Sequence, residues 1–146
     1  MTTFTPHTER GRNELNTIFF SAVNQSNLRL VEECLQRGQN PNSIWDDSAA
    51  LHIAAEKGDI ALGYILLGCK RINVDVSNPV NGRTPLMLAT QNGRREFVQF
   101  LIKHRANPNL STHNGDTALH IAVKIKHFGI VYDLVNANAD VWHLLS

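Results

Sequence analysis

The phrase Thr84-Pro85-Leu86-Met87-Leu88-Ala89 decides how this chain folds, because it recurs along the sequence at a nearly constant spacing. It returns as Thr117-Ala118-Leu119-His120-Ile121-Ala122, and the two threonines are 33 residues apart. Ala50-Leu51-His52-Ile53-Ala54 is an earlier copy, and Thr17-Ile18-Phe19-Phe20-Ser21-Ala22 is a fainter one. Self-similarity at a fixed period of roughly 20–50 residues is the signature of a repeat architecture. The sequence therefore predicts a stack of similar units.

Each phrase is followed by a short polar break and then by a second apolar stretch with helical spacing. In the third copy this stretch contains Phe97, Val98 and Leu101, and in the fourth it contains Phe128, Val131 and Leu134. Apolar residues three and four positions apart lie on one face of a helix. The pattern predicts four helix–turn–helix units. The predicted boundaries are an N-terminal tail over 1–13, units over 14–46, 47–80, 81–113 and 114–141, and an apolar C-terminal end over 142–146.

Local signals agree with helix pairs of this kind. Thr84 and Thr117 are suited to cap the first helices, and Pro85 occupies a first helical position, where its missing N–H costs nothing. Gly58 and Gly93 fall between the two helices of their units, where glycine readily adopts a positive φ.

The ends of the second helices are less uniform. Gly38 ends the second helix of unit one, and Asn138 takes the matching place in unit four. Arg105 and Lys70 occupy or adjoin that place in units three and two. Each of these two residues therefore predicts either backbone strain or a changed loop.

The period near 33 and the Thr-Pro-Leu-His-like start resemble the ankyrin repeat, over about nine-tenths of the chain. The resemblance implies an all-α solenoid of four helix–turn–helix units, with the first helices along a concave side and hairpin loops projecting as fingers. The fingers would be 43–48, 77–83 and 110–116. It also implies that His52 and His120 form hydrogen bonds between neighbouring repeats, a bond that Met87 cannot form.

Composition and motifs argue against catalysis. The chain has 146 residues, a net charge of +1 and two cysteines, Cys34 and Cys69, which we expect to be core residues. It contains no phosphate-binding glycine loop, no Gly-x-Ser-x-Gly and no His-Glu-x-x-His. The seven histidines lack the spacing of a zinc site. We therefore predict no catalytic, metal-binding or cofactor-binding residues, and a cytoplasmic protein without a secretory signal or membrane span.

Charge is unevenly distributed along the chain. Residues 70–126 hold nine Lys or Arg and three Asp or Glu, which gives +6, whereas residues 1–69 hold five and eight, which gives −3. The basic half is a candidate binding surface for an acidic protein. The alternative interpretation is that these charges only keep the protein in solution.

These observations predict a protein–protein interaction module of the adaptor, inhibitor or effector type. Trp45 is expected either to anchor a partner or to fold back on its own loop. The predicted partner-binding residues are Ile44, Trp45, Asp46, Asp47, Lys57, Arg83, Gln91, Asn92, Arg94, His113, Asp116, Lys124, Ile125 and Lys126.

Other functions stay open at this point. The chain could be the recognition segment of a longer enzyme or a pathogen effector, which would place it in host cytosol. The basic half could bind nucleic acid, although it lacks the interleaved aromatic residues of single-strand binding surfaces. The apolar end at 142–146 could cap the last helix pair, bind a second copy, or continue into a longer array.

Overall fold

The computed structural model describes residues 9–137, with side chains from residue 13 onward. Within this range the chain forms eight helices and no named strand. They are α1 Glu9–Asn24, α2 Leu28–Gln36, α3 Ala50–Lys57, α4 Ile60–Leu67, α5 Pro85–Gln91, α6 Arg95–Lys103, α7 Ala118–Lys124 and α8 Phe128–Asn136. Each predicted unit contains one helix pair, which confirms the all-α solenoid. Helix α1 begins at Glu9, before the predicted boundary of the tail.

The predicted caps start the first helices of units three and four. The Thr84 hydroxyl accepts a hydrogen bond from the Met87 backbone N–H, and the Thr117 hydroxyl accepts one from that of His120. Pro85 lies in the first turn of α5. These bonds satisfy backbone donors that a helix leaves without partners at its start.

The turns between paired helices all place one residue in the left-handed region. Gly58 and Gly93 have φ values of 69° and 68°, as predicted. Ser26 and Lys126 adopt φ values of 54° and 60° at the equivalent places in units one and four. The turn is therefore set by the repeat even where the residue carries a Cβ, which makes this conformation less favourable.

The ends of the second helices divide as the residue types suggested. Gly38 has φ 99°, and Arg105 has φ 66°, so unit three keeps the repeat geometry with a non-glycine residue in the left-handed region. Lys70 is absent from the positive-φ residues, and α4 ends at Gly68 with φ −72°. Unit two therefore has a changed loop. Asn138 lies outside the described residues, as does the predicted end over 142–146.

Stacking of the units builds one continuous core. First helices pack against first helices, and second helices against second helices. Ala22, Ala54, Ala89 and Ala122 are at most 1% exposed. Small side chains at these positions let neighbouring helices approach closely. Cys34 is buried, which raises the pKa of its thiol, whereas Cys69 is only half-buried and departs from the predicted core position.

Candidate partner-binding surface

The first finger, residues 43–48, is a tight hairpin. The Trp45 N–H donates to the Ser48 carbonyl at 2.9 Å, and the Ser48 N–H donates to the Trp45 carbonyl at 3.1 Å. Asp46 and Asp47 form the two-residue tip, with φ values of 51° and 67°. Two consecutive positive φ values are those of a type I′ turn, which Asp tolerates better than most residues. The tip therefore presents two exposed carboxylates.

Trp45 both packs within the protein and faces solvent. Its ring stacks on that of Phe20 in α1, with centroids 5.9 Å apart and planes 24° apart. Phe20 is buried, yet Trp45 remains 44% exposed and its neighbour Ile44 remains 40% exposed. The fold-back contact is thus present, and it leaves an apolar surface beside the carboxylates.

The third finger, residues 110–116, is attached to the second finger, residues 77–83. The His113 backbone N–H donates to the Asn81 carbonyl at 2.9 Å, and His113 Nδ1 lies 3.0 Å from the Val80 carbonyl oxygen. Val80 is 66% exposed. His113 therefore holds two fingers together while Val80 presents an apolar side chain to solvent.

Asp116 and Lys124 neutralise each other across α7. The Lys124 ammonium lies 3.2 Å from the Asp116 carboxylate, and the Asp116 backbone N–H donates to the Thr112 hydroxyl. This pair removes one of the predicted basic groups from the net charge of the surface.

Two other cations bind backbone carbonyls. The Lys57 ammonium donates to the Asn24 carbonyl at 2.6 Å, and Arg94 Nε donates to the Glu56 carbonyl at 3.1 Å. A carbonyl has no net charge, so these bonds position the side chains without neutralising them. The side chains line a cleft of about 350 Å³ between the turns of units two and three, which also contains the exposed Glu96.

The last turn adds a basic and apolar pair. Lys126 is exposed and forms no ion pair within residues 13–137, and Ile125 beside it is 42% exposed. Gln91 and Asn92 are exposed at the end of α5. Arg83 precedes α5 and Arg94 follows it, so these two predicted cations lie at opposite ends of that helix.

His52 links units two and three, as the resemblance implied. Its Nε2 lies 2.9 Å from the Arg83 carbonyl oxygen, and its Nδ1 accepts a hydrogen bond from the Ala49 N–H at 3.0 Å. The imidazole is 1% exposed, and this burial lowers its pKa. Met87, in the same place in unit three, is equally buried and has no ring nitrogen to form such a bond. In unit four, His120 Nδ1 accepts from the Thr117 N–H at 3.0 Å.

Sequence reasoning missed an ion pair on the other side of the solenoid. Arg95 Nε and Nη2 lie 2.8 Å and 3.1 Å from the two carboxylate oxygens of Asp133, and Gln99 donates to the same carboxylate. The hydrogen bonds and charge of Asp133 raise the pKa of Arg95. The separation of 38 residues is one repeat plus about one helical turn, which could have indicated a contact between second helices.

The basic half is therefore not one surface. Lys70 and Arg71 follow α4, and Lys103 and Arg105 lie at the end of α6. These four cations lie at or just after the ends of the second helices, whereas Arg83, Arg94, Lys124 and Lys126 adjoin the first helices. The charge that the sequence assigned to one candidate binding surface is divided between two sides.

Within residues 9–137, no cluster of three or more His, Cys, Asp or Glu side chains is arranged to hold a metal ion. No helix in that range has the length and apolar character needed to cross a membrane.

Comparison with known proteins matches residues 51–143 to a family model described as "Ankyrin repeats (3 copies)". The chain is 30% identical to "Ankyrin repeat and SAM domain-containing protein 6" of Mus musculus over 127 residues, which is 84% of this chain and 14% of that protein. It is 34% identical to "Protein PhlB" of Serratia liquefaciens over 118 residues, covering 80% of this chain and 51% of that protein.

A further relative is the "B-cell lymphoma 3 protein homolog" of Mus musculus, 32% identical over 66% of this chain and 21% of its own length. The chain thus spans about half or less of these relatives. Proteins of this family generally bind other proteins and are typically not enzymes. The matched region holds units two to four, in keeping with the weak first copy of the phrase. This chain belongs to the ankyrin repeat family.

Proposed function

We propose that the chain binds another protein through the groove side, defined as the exposed surface of α1, α3, α5 and α7, the turns that directly follow these helices, and the three fingers. The observation that carries the proposal is the pair Arg94 and Lys126. Both are exposed, and neither is paired with a carboxylate within residues 13–137. Cations that contribute nothing to internal ion pairs are available to an acidic partner.

Exposed apolar groups of the groove side supply binding energy. Ile125 lies between Lys124 and Lys126 with 42% of its surface exposed. Trp45 at the first finger is already ordered by Phe20, so little side-chain entropy is lost when a partner covers it. Interfaces gain most of their energy from a few such anchors, with charges at the rim governing specificity.

The partner's chemistry follows from the arrangement of charge. Acidic side chains would face Arg94 and Lys126 in units three and four, while Asp46 and Asp47 favour a basic group above the first finger. The adaptor, inhibitor or effector role and the cytoplasmic location stay predictions, as does a second copy bound through the apolar end at 142–146.

The test is an affinity pull-down from eukaryotic cytosol with three forms of the chain, read by mass spectrometry. Arg94→Glu with Lys126→Glu should lose the partner that the native chain retains. Lys103→Glu with Arg105→Glu makes the same change in net charge on the second helices and should retain it. Equal loss in both variants would mean that total charge governs retention, and equal retention would remove Arg94 and Lys126 from the binding surface.

A further inference from the structure

A second docking feature lies away from the groove side. An open groove of about 510 Å³ runs between α2 and α4. Leu35, Tyr64, Ile65 and Cys69 contribute its apolar lining, with Glu32 and Gln36 at the α2 side. We call it the α2–α4 groove.

Tyr64 is held in place by the next unit while most of its ring faces solvent. The ring meets Phe100 edge-on with centroids 4.8 Å apart, and His104 lies 6.4 Å away at 87°. Phe100 is 7% exposed, whereas Tyr64 is 59% exposed. His104 Nδ1 lies 2.8 Å from the Phe100 carbonyl oxygen, which fixes the cluster further. An ordered, exposed tyrosine has the properties of an interface anchor, because it loses little entropy on binding.

The opposite flank of α4 is closely packed. A Cβ on Gly63 would come within 2.7 Å of Phe100 Cε1 and 3.1 Å of Phe97 Cε2. The backbone of α4 therefore rests on the rings of α6, which fixes the position of the helix. One wall of the α2–α4 groove is thus rigid, as a preformed binding site requires.

The residues that follow the groove-lining Cys69 are basic. Lys70 and Arg71 follow Cys69 directly, are exposed, and form no ion pair within residues 13–137. Arg71 Nη2 lies 3.4 Å from a neutral group, the carbonyl oxygen of Gln39. Glu32 is the carboxylate in the groove lining, since Glu33 pairs with Arg29 at 3.6 Å. Two cations against one carboxylate favour an acidic ligand.

We infer that the α2–α4 groove binds a segment of another protein, with an aliphatic or aromatic side chain against Tyr64 and acidic residues over Lys70 and Arg71. This site is separate from the groove side, so one chain would carry two docking surfaces. A role of Lys70 and Arg71 in stabilising the end of α4 through the helix dipole would affect stability and not binding.

The experiment selects peptides from a random display library on the whole chain, with counter-selection on the Tyr64→Ala variant. We expect peptides that combine an apolar anchor with acidic residues. Lys70→Glu with Arg71→Glu should weaken their binding about tenfold or more. Tyr132→Ala is the matched control, because Tyr132 is also on a second helix and is 63% exposed, and it should change binding less than about twofold.

The alkylation rate of Cys69 measures occupancy of the α2–α4 groove independently of the peptide-binding experiment. Its half-buried thiol lies in the groove, so alkylation of Cys69 should slow about tenfold in saturating peptide, and the buried Cys34, whose thiol pKa is raised, should stay largely unmodified and not obscure the Cys69 rate. Failure to enrich any Tyr64-dependent peptide would overturn the inference. So would enriched peptides without acidic residues, binding indifferent to Lys70 and Arg71, or an unchanged alkylation rate. Circular dichroism of each variant separates lost binding from lost folding.

Discussion

Arg94 and Arg95 are neighbours in the sequence and line the same cleft between the turns of units two and three, yet their side chains have different kinds of partner. Arg94, on the groove side, binds a neutral carbonyl and keeps its charge uncompensated. Arg95, on the second helices, forms a two-pronged ion pair with Asp133. On the groove side the units are joined by buried packing and the His52 hydrogen bond, and on the other side by an ion pair that is partly exposed. Residue type alone therefore does not show whether the charge of an arginine is compensated within the chain, whereas the chemistry of its hydrogen-bond partner does.

The largest expected loss of stability comes from the buried packing of the first helices. Leu86→Ala should lower the free energy of unfolding by about 2–5 kcal/mol, because Leu86 is 1% exposed and its loss leaves a cavity between units. Leu88→Ala in the same helix is the control and should cost less, since Leu88 is only partly buried. Urea unfolding followed by circular dichroism measures both. Equal costs would contradict the assignment of the core.

The next test replaces His52, which forms the buried hydrogen bond, with methionine, the residue at the same place in unit three. His52→Met should cost about 1–3 kcal/mol, because the Ala49 N–H and the Arg83 carbonyl lose their partner. Met87→Leu, a similar change in volume in the same place, should cost less than about 1.5 kcal/mol. Chemical denaturation at neutral pH is the measurement, and equal costs would mean that the bond contributes no net stability.

The stability difference between the native chain and His52→Met should depend on pH. Burial lowers the pKa of His52 in the folded chain, so the unfolded chain takes up a proton first as the pH falls through about 6.5. The stabilising contribution of neutral His52 is present above that pH and is lost below it. The difference in stability between the native chain and His52→Met should therefore narrow from pH 7.5 to pH 5. A constant difference would argue against the burial effect.

Substitution of Trp45 tests how much its side chain contributes to the stability of the folded chain. Trp45→Ala should lower the free energy of unfolding by about 0.5–1.5 kcal/mol through loss of the ring pair with Phe20. Trp45→Phe keeps a ring at that place and should recover most of the loss. Thermal unfolding of the two variants is sufficient, and no change in Trp45→Ala would assign the side chain to a partner alone.

The smallest expected effect is on the second helices. Asp133→Asn should lower stability by less than Trp45→Ala does, because the amide oxygen of asparagine can still accept from Arg95 and the Arg95 side chain is 45% exposed to screening by salt, although Asp133 itself is 10% exposed. The difference in the free energy of unfolding between this variant and the native chain should shrink in high salt. The substitution should leave partner retention unchanged. A loss of partner in Asp133→Asn would extend the binding surface to the second helices.

Features set within one unit could be predicted from the sequence. The Thr84 and Thr117 caps, the turns at Gly58 and Gly93, and the strained Arg105 all follow from local chemistry that repeats with the period. The bond from His52 to the Arg83 carbonyl joins two units and is an exception, because it followed from the family resemblance. In each case the residue type at a fixed place in the repeat determines the conformation.

Contacts between units could not be predicted in the same way. Lys57 and Arg94 reach carbonyls of the preceding unit, and Arg95 reaches the Asp133 carboxylate of the next unit. These contacts depend on side-chain rotamers and on the offset between stacked helices, which the period does not specify. The candidate site therefore stays a prediction from the sequence, to which the structure adds which of its cations have no carboxylate partner within residues 13–137.

The central claim is tested most directly by photo-crosslinking the partner that the native chain retains. A photoreactive amino acid at Gln91, exposed at the end of α5, should crosslink that partner, whereas the same group at Gln99 on α6 should not. Crosslinking from Gln91 that disappears with Arg94→Glu and Lys126→Glu is the predicted result. Crosslinking from Gln99 alone would contradict binding through the groove side.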